Sequence, residues 1–155
     1  MNIRNFGNVS IFKCTLELIG NKGTASFLVN ITRIHISENN IINSLGSFLH
    51  INNCRQVEIE KMIMKSMNGS RKLDFAFINL LDINIITIKH SHIENMVGTV
   101  LNIINADKII LEHSFYFRYV KEVCLKVSFF GQISTKLIDI SNCTFLLCHS
   151  TIIQQ

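Results

Sequence analysis

FLVNITRIHISENNIINSLG, residues Phe27 to Gly46, returns three times along the chain. HINNCRQVEIEKMIMKSMNG starts at His50, NLLDINIITIKHSHIENMVG at Asn79 and NIINADKIILEHSFYFRYVK at Asn102, and each aligns with the first without a gap. The starts are 23, 29 and 23 residues apart, a period at which self-similarity signals stacked repeats. A step of 29 against 23 gives the second repeat six extra residues, which the pattern assigns to a loop after Asn68-Gly69, within 66–74.

The columns of this alignment say which side chains point inward. Ile34, Val57, Ile86 and Ile109 share one column, and Ile36, Ile59, Ile88 and Leu111 share another two residues on. Alternate apolar positions on a β-branched stretch describe a strand with one face on a core. Leu28, Ile51, Leu80 and Ile103 form a third such column, and Ile41, Met64, Ile93 and Tyr116 a fourth, so each repeat is expected to supply several strands. Ile31, Cys54, Ile83 and Ala106 form a further inward column.

Just before that last column stand Asn30, Asn53, Asp82 and Asn105. Asn and Asp tolerate the left-handed backbone region and bond to nearby main chain, so their recurrence predicts one turn repeated at every level. At a strand spacing of about 4.8 Å, their side chains can also bond from level to level as a ladder. Gly46, Gly69 and Gly98 close three repeats at a tight bend. Toward the C-terminus, Asn142 is placed on the same ladder, with Cys143 on the Cys54 column and Leu146 and Cys148 on the main strand columns. That placement implies an excursion from the stack over 118–135. Residues Val9 to Leu18 read as strand, without a fixed register.

Composition agrees with an ordered all-β chain. Among 155 residues Ile occurs 26 times and Asn 17 times, while Pro and Trp are absent. This is a strand-former's alphabet with a turn-former added. The length fits one domain over 1–155. The net charge of +4 is spread without a basic run, so no nucleic-acid footprint is signalled. No stretch approaches the apolar length of a membrane helix. Met1 to Asn5 lacks the apolar core of a secretory signal, so export would need a signal outside this chain. Five cysteines, Cys14, Cys54, Cys124, Cys143 and Cys148, include no CxxC pair, which leaves the redox compartment open.

The four aligned segments resemble the right-handed parallel β-helix repeat of pectin-lyase-like proteins, and in wording they are similar to large surface β-helix proteins of single-celled eukaryotes. The resemblance covers roughly residues 25–150 and implies a solenoid of about five to six coils. The competing frame is a leucine-rich repeat, since Ile31, Ile34, Ile36, Asn39 and Ile41 fit its spacing. Met62, Ser91 and Ser114 at the Asn39 position fit it less well.

Enzymes that resemble this repeat use clustered acids on neighbouring coils, often with calcium or a basic partner. Asp82 falls on the turn ladder, Asp74, Asp107 and Asp139 fall on unrelated columns, and Glu58 and Glu60 face outward beside His35 and Ser37. No carboxylate pair is brought together by the alignment, so no catalytic residue, cofactor or metal site is assigned. His90 and His113 share a column whose other members are Glu38 and Lys61, which reads as a solvated face. Cys54 and Cys143 read as buried structural thiols.

Sequons occur at Asn8, Asn30, Asn68 and Asn142. Asn68, at the head of the looped-out N-G-S-R, is the glycosylation candidate, because a sugar on a ladder asparagine would cost the turn its side-chain bonds. Neither end of the repeat array carries an evident cap. The expectation is a non-enzymatic structural or interaction module, extracellular or at a cell surface. It would be a piece of a longer solenoid, or one that meets other subunits through open ends. A carbohydrate-binding or carbohydrate-degrading protein, with its site in 118–135, is the second expectation.

Overall fold

The computed structural model describes residues 1–17, 24–43, 45–68, 76–113, 116–128 and 137–154. The chain is all-β, with parallel pairing throughout and no helix among the described residues. The strands are β1 (Asn2–Arg4), β2 (Asn8–Phe12), β3 (Thr15–Glu17), β4 (Thr24–Ser37), β5 (Asn40–Ile42), β6 (Ser47–Glu60) and β7 (Ile63–Lys65). They continue as β8 (Ala76–Lys89), β9 (His92–Met96), β10 (Thr99–Glu112), β11 (Tyr116–Ser128), β12 (Leu137–Ser141) and β13 (Thr144–Gln154).

Strands β4, β6, β8 and β10 lie side by side, so that Ile34, Val57, Ile86 and Ile109 stand in one row. Ile36, Ile59, Ile88 and Leu111 form the next inward row, and Leu28, Ile51, Leu80 and Ile103 another; every member of all three is at most 2% exposed. Strict alternation produces this, because a shift of one residue would turn each isoleucine outward. On a separate face β3, β5, β7 and β9 pair in turn, placing Leu16, Ile41, Met64 and Ile93 together. The rows from these faces meet in one apolar core.

The first residues also fall into register. Val9 and Ile11 of β2 pair with Ile34 and Ile36, and Ile3 of β1 pairs with Leu28, each 25 residues on. The surplus of the second repeat lies after Asn68: Asn68 bridges Val97 and Ala76 pairs with Thr99, so seven residues stand against one. That surplus occupies 69–75, which lies outside the described residues, as does Gly69. Gly98, at φ 119°, occupies a conformation that suits glycine.

Three placements differ from the sequence reading. Ile93 pairs with Phe117, and Tyr116 with His92, so the fourth repeat is one residue longer before this strand. Residues 118–128 do not leave the sheet: they belong to β11, which pairs with β9, β10 and β13. Val127 sits beside Ile103, 24 residues on, whereas Ile138 sits beside Ile109, 29 on. The extra length therefore falls in 129–136, outside the described residues. Finally, Glu112 pairs with Ser141, which puts Asn142 next to His113 and off the Asn30 row. Cys143 consequently joins the row of Asn39, Met62 and Ser91, leaving that of Cys54. Leu146 and Cys148 pair with Arg118 and Val120 in β11, away from the Ile34 and Ile36 rows.

Candidate functional site

The corners position everything else. Asn30, Asn53, Asp82 and Asn105 all have φ between 52° and 55°, and Asn5 at 60° extends the row by one level. Asn30 Nδ2 donates to Asn5 Oδ1 (3.0 Å), Asn53 Nδ2 to Asn30 Oδ1 (2.8 Å) and Asn105 Nδ2 to Asp82 Oδ1 (2.9 Å). Each amide thus ties its turn to the level beside it.

A second left-handed corner follows the Ile36 row. Lys13, Glu38, Lys61, His90, His113 and Asn142 have φ between 50° and 54°. Their backbone N–H groups donate across levels, from Lys13 to Ser37 O (3.1 Å), Glu38 to Glu60 O (3.1 Å), Lys61 to Lys89 O (3.1 Å) and His90 to His113 O (2.9 Å). Lys13 and Lys61 flank Glu38 at 3.7 and 3.4 Å. The His90 and His113 rings stack at 5.4 Å with an interplanar angle of 19°. Asn43, Ser66 and Asn95 form a third corner of this kind, at φ 54° to 55°.

Next to the second corner runs a polar row inside the core. Asn39, 1% exposed, accepts from Cys14 N (2.8 Å) and donates to Ile11 O (3.1 Å). Ser91 Oγ donates to Lys89 O (3.0 Å) and accepts from Met62 N (3.2 Å). These bonds satisfy groups whose burial would otherwise be costly.

The outer face of the β2, β4, β6, β8, β10 and β12 sheet carries the densest charge. Glu58 and Glu60, two apart on one strand, point the same way, and both reach the same two partners. Lys89 Nζ lies 2.7 Å from Glu58 Oε1 and 3.7 Å from Glu60 Oε2. His35 Nδ1 lies 3.4 Å from Glu58 Oε2, and its Nε2 lies 3.8 Å from Glu60 Oε1. The carboxylate pair that the alignment did not bring together is therefore present, and the i, i+2 spacing on one strand was its available signal. The hydrogen-bonded Lys89 ammonium holds the Glu58 carboxyl below the usual carboxylate range, and Glu58 holds Lys89 above the usual ammonium range. Beside this group lies an open cavity of about 300 Å³, lined by residues 8–10 and 33–35 with Gln56 and Glu58.

Chemically the face offers ionised acceptors and fixed donors. A glycosidase's general acid needs a raised pKa, and the Glu58 shift runs the other way. Among the described residues no group of three or more His, Cys, Asp or Glu side chains is set to hold a metal ion. Cys54 is 3% exposed, and burial pushes its thiol up, away from the thiolate form that reacts. Cys143 is partly exposed, with Sγ 3.3 Å from Leu111 O. Asn68 is exposed. No helix among the described residues is long and apolar enough to cross a membrane.

No protein-family model, curated protein or solved structure matches the chain.

Proposed function

We propose that this chain is a non-enzymatic structural or interaction module: a right-handed parallel β-helix of about six coils whose outermost strands pair with other protein subunits in an extracellular or cell-surface assembly. The observation that carries the reading is the state of β12. Among the described residues it pairs with β10 alone, and Ile140, on the same inward row as four residues that are fully buried, is 38% exposed. An apolar strand with an open edge is a template for another chain. Several strands and three left-handed corners per repeat favour the β-helix over the leucine-rich repeat, which needs one strand. Right-handedness follows the strong preference of parallel crossovers. Sedimentation velocity from micromolar to near-millimolar concentration tests the assembly. Growth with concentration, abolished by Ile140→Lys, is expected; a monomer throughout would refute it.

The polar cavity around Arg33, His35 and Gln56 supports a second reading, a carbohydrate-binding or carbohydrate-degrading β-helix. A glycan array with a reducing-sugar assay separates the two. Binding lost on His35→Ala would favour the second reading, and silence in both assays the first.

A further inference from the structure

We infer that the occupant of the β12 edge is the β2 edge of a second copy of this chain, seated parallel with Ile138 over Val9 and Ile140 over Ile11. This rests on the edge-pairing function proposed above and adds the identity and register of the partner.

Both edges carry the same two rows. Val9 and Ile138 are the outermost members of the Ile34 row, and Ile11 and Ile140 those of the Ile36 row. Val9, Ile11 and Ile138 are only partly buried, each covered by its own sheet on one side. Seating β2 on β12 continues each row without a change of side-chain type and supplies both strands with the second ladder partner they lack among the described residues.

The corner that follows agrees. Asn142 and Lys13 both take the left-handed conformation immediately after the strand, at φ 52° and 50°. The chains therefore turn at the same point, and the next residues, Cys143 and Cys14, come into line. Their equivalence is visible in their bonds. Cys14 Sγ lies 3.4 Å from Phe12 O and Cys143 Sγ 3.4 Å from Ser141 O, the carbonyl two residues back in each case, as Ser91 Oγ does with Lys89 O.

Symmetry also favours unlike edges meeting. Two copies of one edge related by a two-fold axis would run antiparallel and break the parallel ladder. The unlike contact is heterologous and does not close, so it propagates into a filament. Six strands of this sheet per copy give an axial repeat of roughly 29 Å at about 4.8 Å per strand.

The register places Cys14 and Cys143 of neighbouring copies about 4.8 Å apart at Cα, inside the range a disulfide spans. The test equilibrates the chain with oxidised glutathione. One cysteine thiolate displaces a glutathione thiolate and forms a mixed disulfide; the facing thiolate then attacks it, releasing the second glutathione and leaving the Cys14–Cys143 bond. A non-reducing gel is expected to show a ladder of multimers containing a Cys14–Cys143 peptide, lost completely in Cys14→Ser and in Cys143→Ser. Reduced samples of all three should sediment as the same assemblies. A chain that stays monomeric overturns both the edge-pairing reading and this register. Assemblies that yield Cys14–Cys14 or Cys143–Cys143 links, or no Cys14–Cys143 peptide, overturn the register alone.

Discussion

Asn53 donates from Nδ2 to Asn30 Oδ1 across 2.8 Å, and the two residues, 23 apart in sequence, share a left-handed backbone at φ 54° and 55°. One side chain thus serves its own turn and the next level. Asn53→Ala removes both contributions and should destabilise the fold by about 1–2 kcal/mol. Asn53→Gly keeps the conformation at no steric cost and should lose less. Urea denaturation of the pair checks the order; an equal loss in both would show that the side-chain bond, and not the backbone, sets the effect.

Ile86 stands between Val57 and Ile109 and is fully buried. Ile86→Ala should cost about 2–5 kcal/mol through lost burial and the cavity left behind. Its neighbour Ile85 points the other way and is 37% exposed, so Ile85→Ala should stay within about 0.5 kcal/mol. The contrast, read by thermal and urea unfolding, tests the facing of the strand residue by residue.

Acid should weaken the outer charge cluster. Lys89 depresses the Glu58 carboxyl, and Lys65 followed by His92 depresses that of Glu94. A depressed carboxyl stabilises the fold above its unfolded pKa, near 4.3, and that contribution is lost as pH falls through the folded value. Unfolding free energy should therefore decline below about pH 4.5. In Lys89→Met the decline should be shallower, because Glu58 then titrates more nearly as it does unfolded. A slope unchanged by this substitution would remove Glu58 as its source.

If the protein is secreted, glycan is expected on Asn68 and not on Asn30. Asn68 is exposed, whereas both polar atoms of the Asn30 side chain are engaged, Nδ2 with Asn5 and Oδ1 with Asn53. Glycopeptide mapping decides, and an occupied Asn30 would count against the ladder as a rigid feature.

Thiol reactivity should separate Cys14 from Cys54. Cys14 is partly exposed, while Cys54 is buried with its thiol pushed up. Iodoacetamide at neutral pH should label Cys14 first, with Cys54 reacting only as the chain unfolds. Mass spectrometry of timed aliquots reads the order directly.

The inward rows were legible because burial on one face of a strand writes an alternating apolar pattern, and the 23-residue repeat multiplied it. The Asn30 row was legible because asparagine tolerates the conformation the corner imposes. The second corner was not, since Glu38, Lys61 and His90 advertise no such preference. Asn142 then misled: it suits either corner, and assigning it to the first carried Cys143, Leu146 and Cys148 with it. Tyr116 and Phe117 are both aromatic, so a one-residue slip left no trace in the composition. The His35, Glu58, Glu60 and Lys89 group was half legible, as two outward carboxylates on one strand. Its cation, Lys89, lies a repeat away but on the row of Glu60 itself, with Glu112 on its far side, so that pairing too was within reach of the alignment.

The second corner leaves a mark on the surface. Glycine or asparagine would hold the conformation there more comfortably, by about 1 kcal/mol, yet five of the six positions carry lysine, glutamate or histidine. What the backbone requires at that place is an angle, so the side chain is free to differ from level to level. The result is a graduated rule along one edge of the molecule, with cation, anion, cation and two imidazoles set out at strand spacing. Any flat, periodic partner could be read against it, and its text can be rewritten one level at a time without disturbing the core.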